Sequence, residues 1–447
     1  MGKSVLWVVC LASCCMLAVP NRARAENWPQ FRGPTGQGVA ADPNPPLHWS
    51  ATEHVAWKAD VPGAGWSSPV VWGDRVFLTT ATDGGTSCRV LCFGRADGKA
   101  LWDVEVFKQK LTRKEGKNSW ATPTPVADGE RVYASFAGGA AAVTFDGKVA
   151  WTNTDFPYYS RHGLGASPVL YKDSLILPSD GSEHASGAEE YVGWQRPWEK
   201  GFVLALDKAT GKVKWKAMRG LPTRISHVTP LVIDVDGRKQ LVSPAGDYVM
   251  AFDPDTGERL WWVRSEGETP VPSVVYGGGL LFTTSGWTTN TTTNAQLSIR
   301  AIRPGGKGER GDLTASHIVW TDTKGVPTMP SFLYVDKPAG GGDGVLFGVK
   351  EDGVLYCRDP KNGDILWQQR LEGKYSASPV LAAGRVYLLN EAGRTTVIEA
   401  GREFKVMAEN PVGGEACQAS PAFSDGQVFI RSDKHLFCIG EKGARQP

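Results

Sequence analysis

The sequence predicts an all-β protein, an eight-bladed β-propeller of four-stranded antiparallel blades. Three observations predict it: an anchor motif that recurs eight times, tight turns behind most anchors, and tryptophans at a fixed distance behind a glycine. The composition agrees, because 53 Gly, 29 Pro and 17 Trp suit many short strands joined by tight turns. No stretch carries the pattern of a long amphipathic helix.

The anchor is a small or hydroxyl residue, a proline and an apolar pair, as in Ser68-Pro69-Val70. The shortest spacing between the anchor prolines is 42 residues, the size of one four-stranded blade, and longer spacings indicate loop insertions. A turn such as Asp128-Gly129 and a second apolar run follow most anchors. The other anchors are Thr124-Pro125-Val126, Ser167-Pro168-Val169, Thr229-Pro230-Leu231, Val271-Pro272-Ser273, Met329-Pro330-Ser331, Ser378-Pro379-Val380 and Ser420-Pro421-Ala422.

A second recurring feature places a Trp four residues behind a turn glycine, as in Gly211 and Trp215. The glycine fills the left-handed position of the turn, and a flat ring between two sheets buries about 150–250 Å². This repeat disfavours the alternative of two separate β-sandwiches. Phe404 is predicted to hold the same place in a degenerate repeat. The predicted docking tryptophans are Trp57, Trp102, Trp151, Trp215, Trp261, Trp320 and Trp367.

The last repeat has no outer strand of its own, because the chain ends soon after residues 435–439. Residues 53–58 lie before the first anchor and form an orphan strand that carries Trp57. We therefore expect this N-terminal strand to complete the last blade and close the ring.

The N-terminus is typical of an export signal. Lys3 precedes an apolar stretch over residues 5–19, and Ala23-Arg24-Ala25 matches a cleavage site after Ala25. A lipoprotein signal with Cys14 is the alternative. The predicted organisation is a signal peptide (1–25), an N-terminal extension (26–50), the propeller (51–440) and a tail (441–447). We expect a periplasmic or extracellular location, no transmembrane span and a monomer.

Charge and cysteines exclude several classes. With 49 basic and 47 acidic residues, the chain has no excess charge for a nucleic-acid groove. The cysteines beyond the signal form no C-x-x-C pair, which disfavours a zinc or redox site. Cys92, Cys357 and Cys438 stand at equivalent places in three repeats, which favours small buried hydrophobes.

The motif from Ala205 to Trp215 resembles the tryptophan-docking repeat of quinoprotein dehydrogenases and the PQQ-like repeat of BamB. Residues 27–34, Asn-Trp-Pro-Gln-Phe-Arg-Gly-Pro, resemble the start of PQQ-like propeller proteins common in planctomycetes. The resemblance covers nearly all of residues 27–440. It implies the fold and says little about function, because the docking Trp is structural.

The catalytic relatives hold pyrroloquinoline quinone (PQQ) on a vicinal disulfide beside calcium. The only adjacent cysteines after residue 10 are Cys14 and Cys15, inside the predicted signal. We cannot place the calcium ligands on this chain, so we predict no catalytic residue, no metal and no cofactor. PQQ with calcium stays the alternative.

Residues just before each anchor are predicted to ring one mouth of the channel and bind a ligand. His162 and His227 are either metal ligands or proton carriers, or hydrogen-bonded structural histidines. The insertion over residues 181–200 is the candidate for specificity. The expected function is a non-catalytic envelope propeller that binds a protein, peptide or glycan; a PQQ-dependent dehydrogenase and a hydrolase or lyase are the alternatives. The mouth residues are Trp66, Asn118, Trp120, Arg161, His162, Arg224, His227, Lys374, Tyr375, Glu415 and Gln418.

Overall fold

The computed structural model describes Gly2 and residues 26–42, 44–111, 113–181, 193–194, 196–265, 267, 269–286 and 297–441. The predicted fold is confirmed: the chain forms eight sheets, each with four antiparallel blade strands, and seven of the eight take these four strands in chain order. The predicted signal peptide and most of the 181–200 insertion, with Glu183, His184, Glu189 and Glu190, lie outside the described residues.

Blades 1 to 4 run in chain order from the innermost to the outermost strand. Their strands are β2 (Val70–Trp72), β3 (Arg75–Thr82), β4 (Ser87–Gly94) and β5 (Ala100–Lys108); β6 (Val126–Ala127), β7 (Arg131–Phe136), β8 (Gly139–Thr144) and β9 (Val149–Asn153); β10 (Val169–Tyr171), β11 (Ser174–Ser179), β12 (Phe202–Asp207) and β13 (Val213–Met218); β14 (Leu231–Val235), β15 (Arg238–Val242), β16 (Tyr248–Phe252) and β17 (Arg259–Arg264). A short 3-10 helix, Asp83–Gly85, joins β3 to β4.

Blades 5 to 8 follow the same order. Their strands are β18 (Val275–Gly277), β19 (Leu280–Thr284), β20 (Ile299–Ile302) and β22 (Ile318–Asp322); β23 (Leu333–Val335), β24 (Val345–Val349), β25 (Val354–Arg358) and β26 (Ile365–Arg370); β27 (Val380–Ala382), β28 (Arg385–Leu389), β29 (Arg394–Glu399) and β30 (Val406–Pro411); β31 (Ala422–Ser424), β32 (Gln427–Arg431), β33 (His435–Ile439) and β1 (Val55–Asp60). An extra strand, β21 (Gly311–Asp312), pairs in parallel with β17, and a short helix, α1 (Thr314–His317), follows it.

The N-terminal strand closes the ring, as predicted. Strand β1 pairs antiparallel with β33, with Ala59 opposite Leu436 and Trp57 opposite Cys438. The last blade is therefore built from both ends of the chain.

Each docking tryptophan lies on an outermost strand and packs on a turn of the next blade. An added Cβ on Gly98, Gly147, Gly211, Gly257 or Gly363 would lie within 3.0 Å of the Trp of the preceding blade. Only glycine allows this approach, and these glycines also have positive φ. The strand register shifts beside each Trp, a β-bulge that turns the ring toward the neighbouring blade.

Small residues face the docking rings across the sheet, among them Cys92, Cys357 and Cys438. This confirms that the three cysteines hold equivalent places. All five described cysteines are free and buried, and burial raises the pKa of Cys92, Cys357 and Cys438 to about 12. They act as small core residues.

The expectation for Phe404 is wrong. Ala408 lies opposite Val397 beside the bulge, which is the place of the docking Trp in blade 7. Phe404 lies in the preceding turn, at the place where five other blades have glycine, and its ring meets Trp367 edge-on at 5.3 Å. Trp49 of the N-terminal extension is buried in the same hydrophobic cluster as Ala408.

The N-terminal segment 26–42 closes one end of the channel, a role that the sequence did not predict. The innermost strand of each blade leaves an unpaired edge toward the axis, and this segment uses several of those edges. Trp28 exchanges two backbone hydrogen bonds of 2.9 Å with Val71 of blade 1. Gly38 and Ala40 bond Leu381 of blade 7 at 2.8 Å.

Side chains attach the same segment to other blades. Arg32 is 1% exposed and donates from Nη2 to the carbonyl oxygen of Phe332 in blade 6 at 2.5 Å. The amide of Tyr276 in blade 5 donates to Oε1 of Gln37 at 2.6 Å, and that of Gly426 in blade 8 donates to Oδ2 of Asp42 at 2.7 Å. We call residues 26–42 the plug.

Candidate binding site at the channel mouth

The open end of the channel holds a cavity of about 1060 Å³. Phe31 of the plug is part of its wall, so the cavity is closed on that side by the chain's own N-terminus. In their described parts, the connections between the second and third strands of each blade, and those between blades, lie at the open end. Residues 113–125 and 154–168 supply the wall residues Asn118 and His162.

Eight hydroxyl residues, one at the start of each innermost strand, line the cavity. In six of the eight blade junctions, the backbone N–H of one member donates to the hydroxyl of the next blade. Examples are Ser68 to Thr124 at 2.8 Å and Ser378 to Ser420 at 2.9 Å. We call the set the hydroxyl ring: Ser68, Thr124, Ser167, Thr229, Ser273, Ser331, Ser378 and Ser420.

The hydroxyl ring corrects the anchor alignment in blades 5 and 6. The hydroxyls of Ser273 and Ser331 follow Pro272 and Pro330, whereas the other members precede the proline. The amide of Ser273 nevertheless donates to Ser331 at 2.9 Å, as in the other junctions. The common element of the anchor is therefore the hydroxyl, because it joins adjacent blades. The proline follows the hydroxyl residue in six anchors and precedes it in two.

Six of the predicted mouth residues line the cavity. Asn118 fixes the loop that carries it, because its Nδ2 donates to the His162 carbonyl oxygen at 2.8 Å. The six are Trp66, Asn118, His162, His227, Lys374 and Gln418.

The other five predicted residues lie outside the cavity wall. Arg224 is 5% exposed and pairs with Asp247 at 3.2 Å. Tyr375 is fully buried in the core between blades 6 and 7, where burial raises its pKa to about 12. Trp120 packs on Gly85. The last two predicted residues contact charged side chains: Arg161 lies 4.0 Å from Glu115, and Glu415 forms a 2.8 Å ion pair with Lys58.

The two histidines are neighbours on the cavity wall. The rings of His162 and His227 lie 6.0 Å apart, and Trp194 meets His162 edge-on at 5.5 Å. Neither Nδ1 atom has a hydrogen-bond partner within the described part of the chain. Burial lowers both pKa values, that of His227 to about 3 with a contribution from His162, so both rings are neutral at pH 7.

A loop crosses the mouth. Lys117, between blades 1 and 2, donates to Glu391 of blade 7 at 2.8 Å. On the cavity wall, Glu351 accepts a hydrogen bond from Thr328, and its burial raises its pKa. No single-sequence signal identified Glu351, Lys117 or Phe31, because each reaches the site from a loop or from the plug.

The chain is similar to known proteins in sequence and in architecture. The family model described as outer membrane protein assembly factor BamB matches residues 39–157 and 311–403. Over these residues the chain carries PQQ-like repeats similar to those of BamB. A curated outer membrane protein assembly factor BamB from Yersinia pestis is 25% identical over 260 residues, which are 48% of this chain. The match spans 65% of that relative's length.

Solved structures agree on the propeller fold. BamB from Moraxella catarrhalis superposes with a TM-score of 0.56 at 12% identity, over 87% of this chain and 99% of that chain. The computationally designed Ika8 protein superposes with a TM-score of 0.55 at 11% identity, over 86% and 99%. At this identity the similarity concerns the architecture alone.

Proposed function

We propose that this chain is an exported, non-catalytic binding or scaffold propeller of the cell envelope. It takes a protein, peptide or glycan at the open end of its channel. One observation carries the proposal: the plug closes one end, while the cavity and the described connections between blades lie together at the other. Binding sites of globular proteins are concave and lie on such loop-bearing faces.

The relatives support a scaffold. The matched family and the Yersinia pestis relative are named for the assembly of outer membrane proteins. Protein partners in the envelope fit that name, and the proposed monomer would present one mouth to them. Within the described residues, no helix is long and apolar enough to cross a membrane. The export signal and the envelope location belong to the proposal.

A PQQ-dependent dehydrogenase is the alternative, and the residues of the mouth do not suit its cofactor. Calcium requires six to eight oxygen ligands, several of them carboxylates. In the part of the chain that the structure describes, no three His, Cys, Asp or Glu side chains are grouped to hold a metal ion. The described cysteines are separate, free and buried, so they do not provide the vicinal disulfide. We therefore propose binding without this cofactor.

The test is capture from native envelope extract, with Trp66→Ala as the mouth variant and Trp72→Ala as its matched control. Both tryptophans belong to blade 1, but Trp66 lines the cavity and Trp72 ends strand β2 at the other side. We expect a partner that the wild type and Trp72→Ala retain and Trp66→Ala loses. Addition of PQQ with calcium is the second arm. A cofactor absorbance with dye reduction would overturn the non-catalytic proposal.

A further inference from the structure

The hydroxyl ring leaves a set of hydrogen-bond donors facing the cavity at the open end of the channel. A hydroxyl has one hydrogen to donate and two lone pairs. In six members, a lone pair accepts the N–H of the neighbouring blade at 2.8–3.0 Å. The described residues offer no acceptor for the hydrogens of these six: Thr124, Ser167, Thr229, Ser331, Ser378 and Ser420.

These hydroxyls therefore require acceptor oxygens from a ligand or from water. An accepted hydrogen bond polarises the hydroxyl and strengthens its own donation. The six are at most 8% exposed, and burial makes an unmet donor costly. A ligand rich in neutral oxygen atoms would replace water at several of them together.

The charged residues of the cavity wall do not favour a ligand of either charge. Among the described residues, three lysines and three acids line the cavity. Lys350 and Asp352 form a 3.2 Å ion pair, and Lys117 pairs with Glu391 behind the wall. The two histidines are neutral, as shown above. The wall carries both signs in equal number, so a neutral ligand suits it better than a single anionic or cationic group.

The wall also presents aromatic and amide groups that recognise polyols. Trp66 is half-buried and has no ring neighbour in the described structure, so its face is available to the C–H groups of a sugar. Gln418 offers both a carbonyl oxygen and an amide N–H. Because Phe31 and the plug close the far side, a polymeric ligand can enter the channel by one of its ends but cannot pass through it.

We propose that the cavity binds the end of a neutral oligosaccharide, with the hydroxyl ring donating to sugar oxygens and Trp66 stacking on a sugar face. This proposal rests on the proposed function, since it names the ligand class of the same mouth.

The test is isothermal titration calorimetry of the full chain with cellotetraose, maltotetraose and chitotetraose. Tetragalacturonate is the charged probe of the same length. We expect at least one neutral tetrasaccharide to bind, with a Kd that changes less than about twofold between roughly 50 and 500 mM NaCl, because neutral ligands are not screened. Absence of binding by all three at about 5 mM overturns the proposal, and so does preferential, salt-sensitive binding of tetragalacturonate.

Two pairs of variants locate the site. We expect Trp66→Ala to raise the Kd about tenfold, because the stacking face is lost. We expect Ser378→Ala to raise it at least about threefold, because one hydrogen-bond donor is lost. Trp72→Ala and Ser424→Ala, at the plugged side, leave it unchanged; Ser424 is buried and donates to the carbonyl oxygen of Glu26. Equal effects from both pairs would contradict the site. Ser378→Ala also removes the acceptor of the Ser331 amide. Its Kd is therefore used only if its circular dichroism spectrum matches that of the wild type. If the spectra differ, the Kd of Trp66→Ala alone tests the site.

Failure of this proposal is distinguishable from failure of the proposed function. If the wild type captures an envelope protein and the neutral tetrasaccharides neither bind nor compete, the scaffold proposal holds and the glycan proposal fails. If nothing is captured and no sugar binds, both fail.

Discussion

The indole ring of Trp57, on the outermost strand of blade 8, lies on Gly98 of blade 1. An added Cβ on Gly98 would be 2.5 Å from Cε3 of Trp57. Nε1 of Trp57 donates to the carbonyl oxygen of Arg95 at 2.7 Å. This contact joins blade 8 to blade 1 and completes the ring.

We expect Gly98→Ala to lower the free energy of unfolding by about 2–4 kcal/mol, because the methyl group would displace the Trp57 ring. Gly98 has φ +70°, so part of the loss is backbone strain. Gly73→Ala is the matched control: it has φ +58° and open space around its Cβ, and should lose about 1 kcal/mol. Urea unfolding measures both. Equal losses would show that the ring contact contributes nothing.

The closure also carries a pH-sensitive contact. Burial raises the pKa of Glu415, but hydrogen bonds from Lys58, Ser432 and His435 outweigh it and hold the pKa at about 2. A depressed carboxyl pKa stabilises the fold above the unfolded value, about 4.5, and this stability is lost as the pH falls toward 2. We expect the free energy of unfolding of the wild type to exceed that of Glu415→Gln by about 1–2 kcal/mol near pH 6, because solvent screens part of the interaction. Thermal unfolding should show this difference vanish near pH 2–3; a constant difference would refute the assignment.

His227 provides a second titration. Its pKa of about 3 means that the folded protein binds no proton there, whereas the unfolded chain does below about pH 6.5. Stability should therefore fall as the pH drops from about 6.5 to 3, and His227→Gln should flatten that slope. NMR of ¹⁵N-labelled histidine gives the direct value. A midpoint above about pH 5 would place His227 in a more polar site than this cavity.

A buried ion pair joins Asp180, which follows strand β11, to Arg219, which follows strand β13. Arg219 and Asp180 are 0% and 2% exposed, and the guanidinium donates to both carboxylate oxygens at 2.8 and 2.5 Å. Asp180→Asn would leave a buried charge without its partner and should cost about 3–5 kcal/mol. Asp173→Asn, in an exposed pair with Lys214 of the same blade, should cost less than about 1 kcal/mol. Chemical denaturation distinguishes them, and similar costs would contradict the burial argument.

The fold was predictable because its signals are local and repeated. The distance from Gly211 to Trp215 is set within one turn, and the same turn recurs along the chain. The predicted place of Phe404 was wrong because that turn has no glycine, so nothing fixed the offset to Ala408. Ser273 and Ser331 fall outside the hydroxyl position of the predicted anchor alignment, because that alignment holds the proline at a constant place.

The plug could not be predicted, because its partners are distant in sequence. Gln37 contacts Tyr276, and Arg32 contacts Phe332, with no periodic pattern in residues 26–42 to indicate a strand. The same reason explains why Tyr375 was placed at the mouth: its position before the anchor is right, but its side chain turns into the core.

The most direct test of the closed ring is hydrogen–deuterium exchange of strand β1, residues 55–60, in the wild-type chain. The account predicts protection comparable to that of outer strands such as β9 and β13, because β1 bonds to β33. Complete exchange of residues 55–60 within seconds, while those strands stay protected, would contradict it.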